Sequence, residues 1–389
     1  MDFRLGPRSD SFRTEVREFL DVYLTRDIIE EAHRTGTYHS QELHRALAEK
    51  GWLTASWPVE HGGQGRDPLE MTALMEELIL AGAPTDGMGT TMLIATILRL
   101  EARAELCQEV LPRVLSGEVL MCLGYSEPDS GSDMAAAKTR AVRDGGEWVI
   151  NGQKMWTSLA QVSSYVFLLT RTNLEVPKHR GLTLFLVPLS AEGVEIHPIW
   201  TMGGQRTNMT FYSDVRISDY YRVGDVDDGW GVMRRTALSL ERGGKGRGLA
   251  DRLLADVVAW AREPDGRGNM PITDPVVREQ LARVAVRNEV SALLGYRAAW
   301  NQTVDDIPGV DGSMGKLFAS ESYVRAAADL LDLVGPDGVL QHGESRAPAD
   351  GMIEYAQRKA AVTTIYQGTS EIQRSIIAEQ GLGLPRSRN

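Results

Sequence analysis

The chain has 389 residues, 42% of them hydrophobic and 24% charged. That composition is globular and excludes a disordered or collagen-like chain. A net charge of −11 and a pI of about 5.3 argue against nucleic-acid binding, and an anionic ligand would need local Arg, Lys or backbone N–H groups. At roughly 150 residues per domain, two or three domains are expected.

The first residues, with Asp2, Arg4, Arg8 and Asp10, lack the apolar core of a signal peptide. No apolar run approaches the ~20 residues of a membrane helix. Cys107 and Cys122 have neither Cys-x-x-Cys spacing nor a His cluster, so reduced, buried thiols in a cytoplasmic protein are expected, with no metal site and no membrane partner. The 39 Gly exceed the average share of about 7%.

Phe12, Val16, Phe19, Leu20, Tyr23 and Leu24 recur at helical spacing. Asp67, Pro68 and Glu70 mark a second helix start: N-cap, first-turn proline and capping-box acid. Gly51–Gly65 between them reads as a long loop, and helices continue to about residue 117. From about 120 to 225 the texture is β. Trp148-Val149-Ile150 runs into Asn151-Gly152, a hairpin dipeptide. Residues 165–169, 182–187 and 208–212 have strand length and composition, so a sandwich or barrel is expected. Helix returns from about 229, with periodic apolar residues over 250–261, around 281–288 and over 323–334, and a Gly/Pro/Asp-rich loop at 264–275. The expected division is therefore 1–117 helical, 118–228 β and 229–389 helical.

Three strings carry chemistry. Gly124-Tyr125-Ser126-Glu127-Pro128-Asp129-Ser130-Gly131-Ser132-Asp133 is a hydroxyl-rich loop that can aim N–H and O–H groups at a polar or anionic ligand, or simply turn at the surface. Lys154-Met155-Trp156-Thr157-Ser158 sets an indole beside two hydroxyls, which suits a planar polar cofactor or a core Trp. Ile365-Tyr366-Gln367-Gly368-Thr369-Ser370-Glu371-Ile372-Gln373-Arg374 reads as a loop and a helix capped by Thr369 or Ser370, whose N-terminus can receive an anion.

In this order and context, the three strings resemble the acyl-CoA dehydrogenase family over essentially the whole chain. The resemblance implies a multidomain α+β fold: an N-terminal helical domain, a central β-barrel and a C-terminal four-helix bundle. It implies bound FAD, an acyl-CoA substrate, an electron-transfer flavoprotein as acceptor and a tetramer, either homomeric or formed with a homologue. By the same resemblance Leu123, Tyr125, Ser126, Gly131 and Ser132 line the flavin and pyrophosphate, and Ser132 also approaches substrate. Trp156 flanks the isoalloxazine, with Thr157 and Ser158 at its N5 edge. Asp332, Gly335 and Gly338 match a segment that reaches the neighbouring subunit's FAD, although the family often has Gln at the position of Asp332. Arg262 or Arg267 replaces a degraded Arg string with the same role. Thr369 and Glu371 fall near the adenosine side. Met202-Gly203-Gly204-Gln205-Arg206 and Asp214-Val215-Arg216 also match family strings.

The family removes a Cα proton with a carboxylate while hydride leaves Cβ. Many members carry the base immediately before the Gly-Thr of the last string, next to the substrate. Here that residue is Gln367, followed by Gly368, and an amide is not a base. In the isovaleryl and long-chain branches the base lies in a Leu-x-x-Glu-Arg-like string, matched by Ser239-Leu240-Glu241-Arg242. Glu241 is therefore the candidate base and Arg242 a candidate CoA contact. Gly243, Gly244, Gly246 and Gly248 follow, on a helix whose missing side chains would widen the acyl site, or in a loop or kink. Gln367 and the degraded string favour one alternative, an FAD-binding non-catalytic subunit that pairs with an active homologue; a second alternative within the family is a flavin oxidase or monooxygenase relative.

Overall fold

The computed structural model describes residues 4–236, 246–264, 268–304 and 310–386. The chain opens with α1 (Pro7–Tyr23), α2 (Arg26–Thr35), α3 (Gln41–Glu49), α4 (Pro68–Ala81), α5 (Asp86–Glu101) and α6 (Ala104–Leu115). The capping box forms as its residue types dictate: Asp67 Oδ1 accepts from the N–H groups of Leu69 and Glu70 at 2.9 and 2.8 Å, and Glu70 Oε2 accepts from Asp67 N–H at 3.1 Å. Phe12, Val16, Phe19 and Leu20 bury the predicted face of α1 against Leu74 and Leu78 of α4. Arg13 and Arg17 of α1 pair with Glu77 of α4 at 2.9 and 2.7 Å, and Arg13 also meets Glu76.

Eight strands follow: β1 (Met121–Gly124), β2 (Arg140–Asp144), β3 (Glu147–Lys154), β4 (Tyr165–Arg171), β5 (Leu182–Pro188), β6 (Val194–Trp200), β7 (Arg206–Ser218) and β8 (Arg222–Val223). They form one sheet in the order β6-β7-β3-β2-β4-β5-β8, with β1 parallel to β4. Trp148 of β3 and Phe185 of β5 lie three strands apart in that order, about 14 Å in a flat sheet. Their rings are nonetheless 5.3 Å apart, so the sheet curls around a core that includes Cys122, Ile150, Val166, Leu168, Tyr212 and Val215. The outer faces of β4 and β5 pack Phe167, Leu169, Leu184 and Leu186 on Ile94, Ile97 and Leu98 of α5 and Val110 of α6. Both faces of these strands are covered, which is why their sequences are continuously apolar rather than alternating.

Asn151-Gly152 is not the hairpin turn. The β2–β3 hairpin turns at Gly145-Gly146, and the register between Ile150 and Gly152 is broken by a bulge. There Asn151 Nδ2 donates to Asp214 Oδ1 at 2.9 Å, and Asn151 Oδ1 accepts from Asp214 N–H at 2.9 Å. A Cβ on Gly152 would meet Thr139 Cα at 2.7 Å, so the glycine serves a close strand approach.

After α7 (Gly229–Arg235) come α8 (Leu249–Ala261), α9 (Pro275–Val304), α10 (Asp311–Val334), α11 (Met352–Ala360) and the short α12 (Ser370–Ile376). Leu253 and Val257 of α8, Leu281 and Val284 of α9, Ala326 and Leu330 of α10, and Ile353 and Ala356 of α11 share one core, so these four helices make the bundle. Among the described residues no helix is long and apolar enough to cross a membrane. No His, Cys, Asp or Glu cluster there could hold a metal.

Candidate functional site

The loop that follows β1 is held by a buried ion pair. Glu127 closes a tight turn through Glu127 N–H to Ser130 O at 2.9 Å and the reverse bond at 3.1 Å. Its carboxylate accepts from the N–H groups of Lys138 and Thr139 at 2.6 and 2.8 Å and from Lys154 Nζ at 2.8 Å. Lys154 is fully buried and its Nζ also donates to Tyr125 O at 3.2 Å. Burial opposes the Glu127 charge, but Lys154 and the two N–H groups outweigh it and hold its pKa below the ordinary value. Burial pulls the Lys154 ammonium down to about 8 against the attraction of Glu127. The pair therefore remains ionised at neutral pH.

This clamp brings the first two strings together: Met155 N–H donates to Ser126 O at 2.9 Å. The next residue, Trp156, takes φ 62° and leaves 53% of its surface open. A left-handed bulky residue is strained, and such strain persists only where the surroundings impose it. Here Thr157 imposes it. Its N–H donates to Asn208 O at 2.9 Å, its O accepts from Asn208 Nδ2 at 3.0 Å, and its Oγ1 lies 3.3 Å from Thr210 Oγ1. Thr157 is thus wholly internal, with its hydroxyl turned toward Thr210. Ser158 stays exposed, its Oγ 3.0 Å from Thr207 Oγ1, so of the two it presents the accessible hydroxyl.

The loop joined to this segment through Ser126 and Met155 carries further small and hydroxylic residues. Gly131 and Ser132 are exposed, and their N–H groups join no backbone hydrogen bond among the described residues. Gly131 has open space where a Cβ would stand. The Ser130 hydroxyl is buried with no partner among the described residues. An open indole face, hydroxyls and outward N–H groups fit a planar, hydrogen-bonding, anionic cofactor such as a flavin nucleotide. Leu123 and Tyr125 sit at the end of β1, part-buried and buried respectively, beneath this surface.

The third string belongs to the bundle. Gly368 O accepts from Lys316 Nζ of α10 at 2.6 Å, and Gln367 O accepts from Gln373 Nε2 at 2.8 Å. Gln367 takes φ 55° and Gly368 φ 81°, a turn that leaves Gln367 exposed. Thr369, rather than Ser370, caps α12, accepting from Ile372 N–H at 3.3 Å, and Glu371 is exposed in its first turn. Asp332 lies exposed near the end of α10, Gly335 ends that helix with φ 77°, and a Cβ on buried Gly338 would meet Leu331. Exposed Arg262 ends α8. Glu241, Arg242, Gly243, Gly244 and Arg267 lie outside the described residues.

Gly246 and Gly248 precede α8 and are not helical. A Cβ on Gly246 would sit 1.9 Å from Glu76 Oε1 and 2.6 Å from the Tyr296 ring. That glycine lets the segment before α8 approach α4 and α9 closely. Within their strings Glu127 and Lys154 point to no chemical role on their own, and Asn208 reads only as a strand residue. An acid and a lysine inside otherwise small and hydroxylic strings were the available signal for the pair; Asn208 carried none.

Models of the acyl-CoA dehydrogenase N-terminal, middle and C-terminal domains match residues 7–118, 122–219 and 227–382. The chain is 34% identical to acyl-CoA dehydrogenase FadE26 of Mycobacterium tuberculosis, over 98% of each chain. Its fold is similar to a chain of the ChsE4–ChsE5 complex of M. tuberculosis, with TM-score 0.91, 34% identity and full coverage of both chains. It is also similar to a chain of the Tcur3481–Tcur3483 steroid ACAD, with TM-score 0.90, 34% identity and full coverage of both.

Proposed function

The chain belongs to the acyl-CoA dehydrogenase family of oxidoreductases, and on that footing we propose that it binds FAD and desaturates the Cα–Cβ bond of an acyl-CoA, with Glu241 as the base. The observation that supports this reading is the junction at Ser126 and Met155, which joins the loop carrying Gly131 and Ser132 to the segment carrying an exposed, left-handed Trp156. Ser126, Ser132, Trp156 and Ser158 would hold the isoalloxazine and pyrophosphate. Bound FAD supplies the acceptor for the hydride that leaves Cβ. Glu241 takes the Cα proton as that hydride departs, because charge develops on the thioester enolate and a carboxylate can receive the proton. Gln367, at the more usual position of the base, offers an amide that can donate a hydrogen bond but cannot take a proton at neutral pH. Arg242 contacts the CoA portion, and the electrons pass on to an electron-transfer flavoprotein.

A second reading also has support. Two structural neighbours are named as pairs of different chains, and this chain has Gln367 where many relatives carry their base. It could thus serve as the FAD-binding partner of a homologous catalytic chain. Purifying the chain alone separates the two. A yellow homotetramer with stoichiometric FAD, bleached anaerobically by an acyl-CoA, is expected. Flavin reduction that appears only after a homologous chain is added would contradict the first reading and favour the second.

A further inference from the structure

Three charged side chains are buried at the base of the loop that follows β1: Glu127 at 7% exposure, Lys154 of β3 at 0% and Arg171 of β4 at 6%. The proposed chemistry uses none of them. Apart from the bond between Lys154 and Glu127, all their side-chain hydrogen bonds end on main-chain groups. Glu127 accepts from the N–H groups of Lys138 and Thr139, 11 and 12 residues on, so one carboxylate joins the two ends of the loop. Lys154 adds Tyr125 O on the near limb. Arg171 holds the far limb, donating to Ala137 O at 3.3 Å and to Ala135 O, and its remaining bond runs to Lys178 O at 2.6 Å. Between the two limbs Pro128, Asp129, Gly131, Ser132 and Asp133 are exposed.

Charges placed in this way are a poor source of stability. Taking them out of water costs as much as their attraction returns, and apolar residues of similar volume often serve as well. What the cluster supplies is geometry. A carboxylate that accepts from two N–H groups and an ammonium is satisfied in one loop conformation only. A loop already closed loses little conformational freedom when a ligand settles on its exposed tip. That tip carries the outward N–H groups of Gly131 and Ser132, and the bond from Met155 N–H to Ser126 O ties the near limb to the segment that carries Trp156.

Resting on the flavin reading above, we propose that Glu127, Lys154 and Arg171 are positioning residues for FAD, which hold this loop in its cofactor-binding conformation before the cofactor arrives. They are buried beneath the loop and act through it. The competing role is structural: a cluster that only holds the sheet together would move stability and FAD affinity in step.

The test measures FAD binding by calorimetry on the deflavinated protein, well below its melting temperature, beside thermal unfolding of the same samples. Glu127→Gln leaves one amide oxygen for three donors, and Arg171→Gln frees the carbonyls of Ala135 and Ala137. Each is expected to raise the FAD dissociation constant about tenfold or more. Glu127→Gln combined with Lys154→Met removes both buried charges. Its melting temperature should equal or exceed that of Glu127→Gln alone, while its FAD affinity stays weak. Should Glu127→Gln fail to fold, the double variant is compared with the parent directly. A parent-like dissociation constant in either folded single variant would overturn the proposal. So would an affinity that recovers together with the melting temperature in the double variant. A parent protein that binds no FAD would overturn the flavin reading, and the proposal with it, before any variant is compared.

Discussion

His44 is 1% exposed, and neither of its ring nitrogens has a hydrogen-bond partner among the described residues. Burial pulls its pKa down to about 4. Its neighbour His39, with rings 5.0 Å apart, is held to about 3 by burial and by His44. An imidazole whose folded pKa is lowered gains its proton first in the unfolded chain. Stability is therefore full above the ordinary value near 6.5 and falls as pH drops from there toward 4. Each such group costs about 1.4 kcal/mol per pH unit in that window. Urea unfolding at pH 7, 6 and 5 should show this loss, and His44→Gln should reduce the slope by about one proton. Equal slopes for parent and variant would refute the assignment.

Among the elements, α4 is where local sequence and tertiary packing agree most closely. Asp67 satisfies two N–H groups at its start, Gly82 ends it with φ 74°, and Glu76 and Glu77 fasten it to α1. Asp67→Ala should cost about 1 kcal/mol, read as a lower melting temperature with unchanged flavin content. An unchanged melting temperature would show that packing alone fixes this helix. The cap was legible because it depends on residues three apart. The Asn151-Gly152 bulge was not, because the partner that claims the Asn151 carboxamide is Asp214, 63 residues on. Continuous apolar runs gave β4 and β5, but their burial on both faces depends on α5 and α6. In the candidate site, the hydroxyl loop and Trp156 stood out by composition. The inward turn of Thr157 did not, since it is set by Asn208 and Thr210 on β7.

At the scale of the whole molecule, the three segments meet through charge and ring contacts. His33 of α2 stacks on His342 at 4.7 Å and meets the edge of Tyr355 at 5.5 Å. Arg358 Nη1 of α11 donates to Met202 O in the β6–β7 turn at 2.8 Å. A Cβ on Gly203 of that turn would lie 3.5 Å from Lys359 Cα, so helical bundle and sheet press closely together there. This arrangement puts Tyr366 and Gln367 on the bundle and Trp156 and Ser132 on the sheet, and the proposed chemistry needs both. Its central claim is that proton removal has passed from the Gln367 position to Glu241. The most direct measurement is stopped-flow flavin reduction under anaerobic conditions, comparing the parent protein with Glu241→Gln at equal FAD content against an acyl-CoA that bleaches the parent. The reduction rate is expected to fall about a hundredfold or more with FAD retained. A variant that reduces its flavin at the parent rate would contradict it.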